Sequence, residues 1–276
     1  MTIMNKSIAA LLSVAVLASC DYEKNAVQDI AGVAPAAKVR FFNFSVGAPS
    51  VNFYANDTKM TATLTAVCSG ATVSDTCKST GSESTTGVVY GGVGGGGLYS
   101  GIEPGQYALT GRIAAATDKD LAISTVSANI ESGKNYSLYL SGFYNTAAKT
   151  TDAFLVEDAF PAEIDWTAAD VRFVHAISNA NPMTLYARQV ESGIEYAIGG
   201  EAAYKGATGF TKLPNGSYTL RTAYAGATTN AMSRVAVSFE QGRVYTITAR
   251  GDILTAPTTA GCATTNRTCL DYTPNR

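Results

Sequence analysis

The chain has 276 residues, enough for two domains of ordinary size, and its net charge of −2 excludes the strongly basic surface that nucleic-acid binding requires. Charged residues make up only 15% of the chain, and tryptophan occurs once beside 15 tyrosines. Stretches rich in valine, threonine and tyrosine, punctuated by glycine and proline, predict an all-β protein.

The first twenty residues have the layout of a secretory signal. Lys6 precedes an apolar run over residues 8–17, which is shorter than the ~20 apolar residues that a membrane-spanning helix needs. The run ends in the letters LASC at 17–20, which resemble the bacterial lipobox, where the signal is cut before the cysteine and the thiol is acylated. Residues 1–19 are therefore predicted to be a lipoprotein signal peptide. The competing interpretation is a plain signal peptide followed by an incidental cysteine.

Cys20 is the predicted lipidation site, and residues 20–37, which lack strand-like alternation, are predicted to be a tether. Because a single acyl chain anchors only weakly, the several chains of a lipoprotein cysteine make attachment durable. The predicted location is the bacterial cell envelope, with a membrane as one partner and the protein facing the periplasm or the exterior. The outer and inner membranes stay open as alternatives.

The number of cysteines agrees with an exported protein. With Cys20 assigned to lipid, Cys68 lies close to Cys77 in the sequence and Cys262 close to Cys269, which predicts two disulfides in an oxidising compartment. The competing interpretation is a metal site. It has little support because the chain has one histidine and no C-x-x-C pair, so no metal and no cofactor are predicted.

Self-comparison shows two copies of one pattern. Residues 39–43 (VRFFN) return as 171–175 (VRFVH), and 102–109 return as 213–220 with the same glycine and tyrosine spacing. Matched segments alternate with period two, as half-buried strands do. The pattern predicts two tandem antiparallel immunoglobulin-like β-sandwiches, at residues 38–160 and 170–254. An insertion at about 56–101 lies in the first, 161–169 is a predicted linker, and 255–276 is a predicted polar tail with one cysteine pair.

Smaller features refine this architecture. Residues 245, 247 and 249 are apolar or aromatic and alternate with Thr246, Thr248 and Arg250, so this strand is predicted to have one buried and one polar face. Gly133 and Gly242 are predicted to close hairpins. Trp166, in the linker, is predicted to pack between the sandwiches.

The repeated segments resemble a family of exported bacterial domains known as domain of unknown function 4397. The resemblance is carried by VRFVHA at 171–176, APSVNFY at 48–54, LPNGSY at 213–218 and ESGKNY at 131–136. It covers about residues 38–254 and implies an exported protein with tandem sandwich domains, but it implies no activity. Asn52 and Thr184 stand where the family often has an acid, which argues against a repeated acid–imidazole site.

Catalytic machinery is hard to find in the sequence. His175 is the only histidine, alternation places it on the buried side of a strand, and no partner nucleophile or carboxylate is evident. A structural role is predicted, because Asn43 stands at the same position of the first copy. The glycine run at 91–97 lacks the lysine and serine or threonine of a phosphate-binding loop and is predicted to be a flexible insertion loop. We therefore predict that the protein is not an enzyme.

Tyr54 and Tyr186 provide the one hint of a binding surface. Each lies opposite an inward-facing set of residues and is predicted to face solvent, where amphipathic rings favour sugars or proteins; simple sheet-forming residues are the alternative. The predicted function is a non-enzymatic, lipid-anchored envelope protein with a scaffold or protein-interaction role. A surface adhesin or carbohydrate-binding module is the second hypothesis, so the expected partner is an envelope protein or a glycan.

Overall fold

The computed structural model describes residues 36–61, 87–227, 229–259, 261–262 and 266–276. Residues Pro35–Arg276 form one compact unit. Within the described residues, its regular structure consists of β-strands and one tight helical turn over Gly94–Gly97. The all-β prediction is therefore confirmed.

Within the described residues, the first repeat forms nine strands. They are β1 (Ala37–Asn43), β2 (Val51–Ala55), β3 (Thr58–Lys59), β4 (Gly92–Val93), β5 (Ser100–Ile102), β6 (Gly105–Ile113), β7 (Ala122–Ile130), β8 (Asn135–Asn145) and β9 (Thr150–Glu157).

The second repeat forms eight strands within the described residues. They are β10 (Ala168–His175), β11 (Met183–Gln189), β12 (Glu195–Ala202), β13 (Thr211–Pro214), β14 (Gly216–Tyr224), β15 (Met232–Phe239), β16 (Val244–Arg250) and β17 (Cys269–Pro274).

Each repeat pairs its strands into two sheets. The first repeat has the orders β4-β1-β8-β9, with β5 also on β1, and β3-β2-β6-β7. The second has β13-β10-β16-β17 and β12-β11-β14-β15. We call the sheets that contain β1 and β10 the facing sheets, because they pack against each other, and the other two the distal sheets. The two repeats therefore share one topology, as the repeated sequence predicts.

One strand pair in each repeat departs from the antiparallel prediction. β1 runs parallel to β8 over Lys38–Asn43, and β10 runs parallel to β16 over Asp170–His175. A parallel pair needs a long crossover connection, and here the distal sheet supplies it. Alternation reports only which residues face inward, so it cannot reveal the direction of a neighbouring strand.

Each sandwich encloses its own core between its two sheets. In the first repeat, Phe41 of β1 stacks on Phe53 of β2 with ring centroids 5.2 Å apart. In the second, the buried ring of Tyr218 packs against Phe239 at 5.4 Å, and its hydroxyl donates to the carbonyl of Pro214 at 2.6 Å. Full burial of each such side chain contributes roughly 1.5–3 kcal/mol. The period-two prediction of the inward set is confirmed.

The predicted glycine turns exist but connect different strands from those expected. Gly133 and Gly242 adopt φ of +78° and +73°, the left-handed region that favours glycine. However, β7 and β8 belong to different sheets, as do β15 and β16, so both turns cross from a distal to a facing sheet and do not close a hairpin. The sequence specifies the turn, whereas strand pairing depends on tertiary packing.

Three predictions about connecting segments are wrong. The polar tail contains β17, which pairs with β16 at the edge of the second facing sheet. Trp166 is 71% exposed and lies against the position of Gly242, so it does not pack between the sandwiches. The glycine run is only partly loop, because Gly92 and Val93 form β4 on the edge of β1.

Candidate functional site

The two facing sheets meet in a buried aromatic cluster. Tyr139 of β8 is 1% exposed and stacks between Phe42 at 4.7 Å and Phe154 at 5.1 Å. Val174 and Ala176 of the second repeat are buried in the same cluster. The outer faces of the facing sheets are therefore covered by each other, which explains why every residue of β16 is buried.

Two buried arginines lie across this interface at equivalent positions of the two repeats. Arg172 of β10 donates to the carbonyl of Glu157 at 3.0 Å and forms an ion pair with Asp158. Arg40 of β1 donates to the carbonyl of Pro274 at 3.3 Å. Each arginine thus reaches the end of the last strand of the other repeat, the reciprocal pattern of an isologous two-fold interface.

The rings beside the two arginines repeat as well. The Arg40 guanidinium lies 4.1 Å from the ring centroid of Tyr99, and the Arg172 guanidinium lies 5.2 Å from that of Phe210. Phe160 lies between the two rings, at 6.1 Å from Tyr99 and 6.0 Å from Phe210. The interface is therefore pseudo-symmetric down to its aromatic partners.

The symmetry breaks at the carboxylate. Asp158 has a fully buried side chain and also accepts hydrogen bonds from the hydroxyls of Tyr99 at 2.6 Å and Ser137 at 2.8 Å. Its counterpart is Asn275, whose Oδ1 accepts from Arg40 at 3.1 Å and whose Nδ2 donates to Thr246 at 2.7 Å. Arg172 therefore has a charged partner, whereas Arg40 has a neutral one.

The pKa of the Tyr99 phenol reflects this buried network. Burial, followed by the nearby Asp158 carboxylate, raises the pKa well above its ordinary value of 10.0. The hydroxyl therefore remains protonated and continues to donate to Asp158. Tyr99 acts as a fixed hydrogen-bond donor and not as a titrating group.

A cleft opens beside Arg40, between β4 and its glycine turn on one side and β17 on the other. Its volume is about 460 Å³. The charged side chains that line it are Arg40, Arg243, Arg276 and Asp271, and Asp271 is already paired with Arg250 at 2.6 Å. The cleft therefore has an excess of positive charge, and it is the candidate functional site.

His175 has the structural role that the sequence predicts. It is completely buried, its Nε2 lies 3.2 Å from the carbonyl oxygen of Asn181, and its Nδ1 accepts from the Ile177 amide at 3.2 Å. In the first repeat, Asn43 donates to the carbonyl of Pro49, at the position equivalent to Asn181. Both nitrogens of the imidazole are engaged by backbone, so the ring organises a turn.

The pH dependence of stability tests this role. Burial lowers the pKa of His175 below its ordinary value of 6.5. On acidification below about pH 6.5 the unfolded chain takes up the proton first, so the free energy of unfolding should fall until the lower folded pKa is passed. His175→Asn, which copies Asn43, should fold and lose this part of the slope between pH 7 and 5 in urea titrations. An unchanged slope would contradict the assignment.

The model of the family described as Domain of unknown function (DUF4397) matches residues 37–186 and 169–268. The chain belongs to the DUF4397 family. The two matches overlap in the first strands of the second repeat, and together they cover both sandwiches. The family description assigns no activity.

None of the curated proteins matches this DUF4397 chain. A crystal structure of a leucine-rich repeat protein from Bacteroides thetaiotaomicron is similar over 82% of this chain at 12% identity, with a TM-score of 0.19. The chain spans only 26% of that structure.

The two tyrosines predicted as a binding surface have different environments. Tyr54 is only 8% exposed, so the prediction that it faces solvent is wrong: Arg112 covers its ring at 4.3 Å and its hydroxyl donates to Asp120 at 3.2 Å. Tyr186 is partly exposed beneath the guanidinium of Arg221 at 4.0 Å. A binding role for either ring stays a prediction.

Two of the five cysteines lie within the described residues. A disulfide joins Cys262 to Cys269, with Cα atoms 5.5 Å apart, as predicted. Cys269 is the first residue of β17 and Cys262 lies seven residues before it. The disulfide therefore restrains the chain that leads into this edge strand of the second DUF4397 repeat. Cys20, Cys68 and Cys77 lie outside the described residues.

Among the residues that the structure describes, no group of three or more histidine, cysteine, aspartate or glutamate side chains is placed to hold a metal ion. In the same ranges, no helix has the length and apolar character to span a bilayer.

Sequence reasoning missed the arginines of the interface, although a signal for them existed. Arg40 and Arg172 occupy the same place in the repeated VRF motif, where alternation points a side chain away from the core. A charged residue repeated at such a position indicates a shared contact. Asn275 lies 235 residues from Arg40, and Asp158, 14 residues before Arg172, belongs to the other repeat, so only the fold shows that each contacts an arginine.

Proposed function

We propose that this protein is a non-enzymatic, lipid-anchored protein of the bacterial cell envelope whose two repeats act together as a scaffold or protein-interaction module. The observation that carries the interaction role is the interface between the repeats. The buried pair Arg172–Asp158 and the aromatic cluster around Tyr139 hold two sandwiches as one body. Such a body presents partner surfaces at fixed spacing, which two freely linked domains cannot do.

The positions of the sheets support this role. The facing sheets are occupied by the contact between the repeats, whereas several side chains of β7 and β12, in the distal sheets, are exposed among the described residues. On the second distal sheet, Tyr186 and Arg221 form a stacked pair, and Arg221 also pairs with Glu195 at 2.5 Å. A partly exposed aromatic–arginine pair is typical of protein contact surfaces.

Support for the anchor comes from the sequence. The letters LASC at 17–20 follow a basic residue and a short apolar run, which is the order of parts in a lipoprotein signal. A lipid on Cys20 would attach the folded repeats to a membrane through the segment before β1. The outer and inner membranes remain alternatives.

Replacement of the predicted lipidated cysteine tests the proposal. Cys20→Ala should abolish incorporation of labelled palmitate and move the protein from the membrane to the soluble fraction, because acyl chains provide the attachment. Ser13→Ala, within the apolar run, is the matched control and should keep both label and membrane association. Wild-type protein that never takes up palmitate would contradict the anchor.

A surface adhesin or carbohydrate-binding module is the second candidate function. The cationic cleft beside Arg40 favours it, since its volume of about 460 Å³ lies in the range of small-molecule sites. Protease treatment of intact cells and a glycan array separate the candidates. A protein that is neither accessible from outside nor bound by any glycan is not an adhesin.

A further inference from the structure

We propose that the cleft between the repeats binds the carboxylate of a small acidic ligand, such as an acidic sugar. This inference deepens the recognition role proposed above by naming the site and the chemistry of its ligand. It rests on the contrast between the two arginines of the pseudo-symmetric interface. Arg172 has a carboxylate supplied by the chain, whereas Arg40 does not.

The charge of Arg40 is buried against neutral groups, without a carboxylate partner among the described residues. The residue is only 3% exposed, its Nη1 bonds to the neutral oxygens of Pro274 and Asn275, and its Nε has no hydrogen-bond partner. Among the described residues, no carboxylate forms an ion pair with Arg40, although Arg172 has Asp158. A guanidinium that lines a cleft and has no carboxylate partner is a strong recognition element for a carboxylate.

The first repeat provides a template for the ligand. Asp158 accepts a hydrogen bond from Arg172, and Asn275 accepts one from Arg40 at the equivalent position. A carboxylate of the ligand would therefore supply to Arg40 the negative charge that Asp158 supplies to Arg172. Arg243 and Arg276 line the same cleft and add positive charge at its mouth. Arg276 also lines an adjoining depression of about 430 Å³ beside Lys38, so the positive field extends along the interface.

The shape of the site favours a small molecule over an extended peptide. A peptide would have to pair with the edge of β17, but Pro274 has no amide hydrogen there. The Tyr272 amide donates to the Asp271 carboxylate at 2.9 Å, and the Leu270 carbonyl accepts from Arg234 at 2.7 Å. An edge blocked in this way resists strand addition, so recognition would depend on side chains.

The floor of the cleft suits a ring-shaped ligand. It contains apolar and aromatic groups together with the exposed side chain of Leu98. The apolar members are Phe42, Phe44, Val93, Leu98 and Tyr272. An apolar floor with a few charged groups above it is the usual composition of a small-molecule site.

Titration calorimetry on the purified full-length protein provides the test. D-glucuronate and succinate should bind, whereas D-glucose, which lacks the carboxylate, should not. Binding of glucuronate alone identifies an acidic sugar, and binding of both acids identifies the carboxylate as sufficient; either supports the proposal. No binding of either acid up to about 10 mM, where a ligand with a Kd of about 1 mM is mostly bound, would overturn it. Binding of a triglutamate peptide without either small acid would also overturn it, in favour of a protein partner.

A variant that supplies the carboxylate internally sharpens the test. Asn275→Asp places an acid on Arg40, as Asp158 does on Arg172, and should weaken glucuronate binding at least tenfold. Asn215→Asp makes the same charge change in an exposed turn and should leave the affinity unchanged. If Asn275→Asp does not fold, the doubly substituted Arg243→Gln/Arg276→Gln protein, altered at exposed positions, should show the same loss. Wild-type affinity in a folded Asn275→Asp protein contradicts the proposal. Because no step involves Cys20, failure here leaves the anchor untouched.

Discussion

Replacing Arg172 with methionine should lower the free energy of unfolding by about 3–5 kcal/mol, the range for breaking a buried ion pair from one side. The substitution leaves Asp158 with a fully buried carboxylate and only two hydroxyl donors, from Tyr99 and Ser137. Urea denaturation followed by far-ultraviolet circular dichroism measures the loss.

Arg40→Met is the matched control, because it removes the same side chain at the equivalent position. It leaves only neutral acceptors unpaired, on Pro274 and Asn275, so its cost should be smaller, about 1–3 kcal/mol. Combining Arg172→Met with Asp158→Asn removes both buried charges and should recover most of the loss. Equal losses for the two arginine variants would show that packing, and not charge, dominates.

Replacing Tyr139 with alanine should cost about 3–5 kcal/mol, because a large cavity opens between the repeats. The ring is 1% exposed and contacts Phe42 and Phe154 by stacking and Phe44 at 5.8 Å. Since Val174 and Ala176 of the second repeat pack into the same cluster, the variant should also separate the unfolding of the two repeats. Differential scanning calorimetry should then resolve two transitions in place of one.

Tyr139→Phe controls for the ring itself. Burial raises the pKa of this phenol to about 12, so its hydroxyl is neutral near pH 7 and removing it there changes no charge. The phenylalanine variant should unfold in one transition with a loss below about 1.5 kcal/mol. A single transition in the alanine variant would mean that the polar network alone couples the repeats.

The interface joins the two repeats through an apolar cluster that is flanked by buried polar groups. Aromatic, hydroxyl and arginine side chains all lie on the outward faces of the facing sheets. Thr246 and Arg250 are buried with polar partners from their own sheet, because Arg172 donates to Thr246 at 2.9 Å and Asp271 pairs with Arg250 at 2.6 Å. The opposing sheet covers the Arg250 guanidinium with the ring of Phe44, whose centroid is 5.0 Å away. Hydrogen-bonded polar groups that cross the interface also fix the alignment of the two facing sheets, because a shifted alignment would leave a buried charge without a partner.

The sequence by itself determined the repeat, the all-β class, the inward set of side chains and the Cys262–Cys269 disulfide. These are local properties: period two, turn residues and short spacings leave direct traces in the order of residues. The structural role of His175 also follows from sequence, because Asn43 at the same position of the first copy shows which chemistry the site needs.

Only the tertiary structure decided how the polar faces are used. Thr246, Thr248 and Arg250 alternate identically whether water or another sheet covers them, so the pattern cannot separate an exposed face from an interface. The parallel β1–β8 and β10–β16 pairs and the place of β17 in its sheet also depend on contacts between distant segments. The contrast between Asp158 and Asn275 acquires meaning only once the fold brings each to an arginine, because electrostatic partnership depends on distance in space.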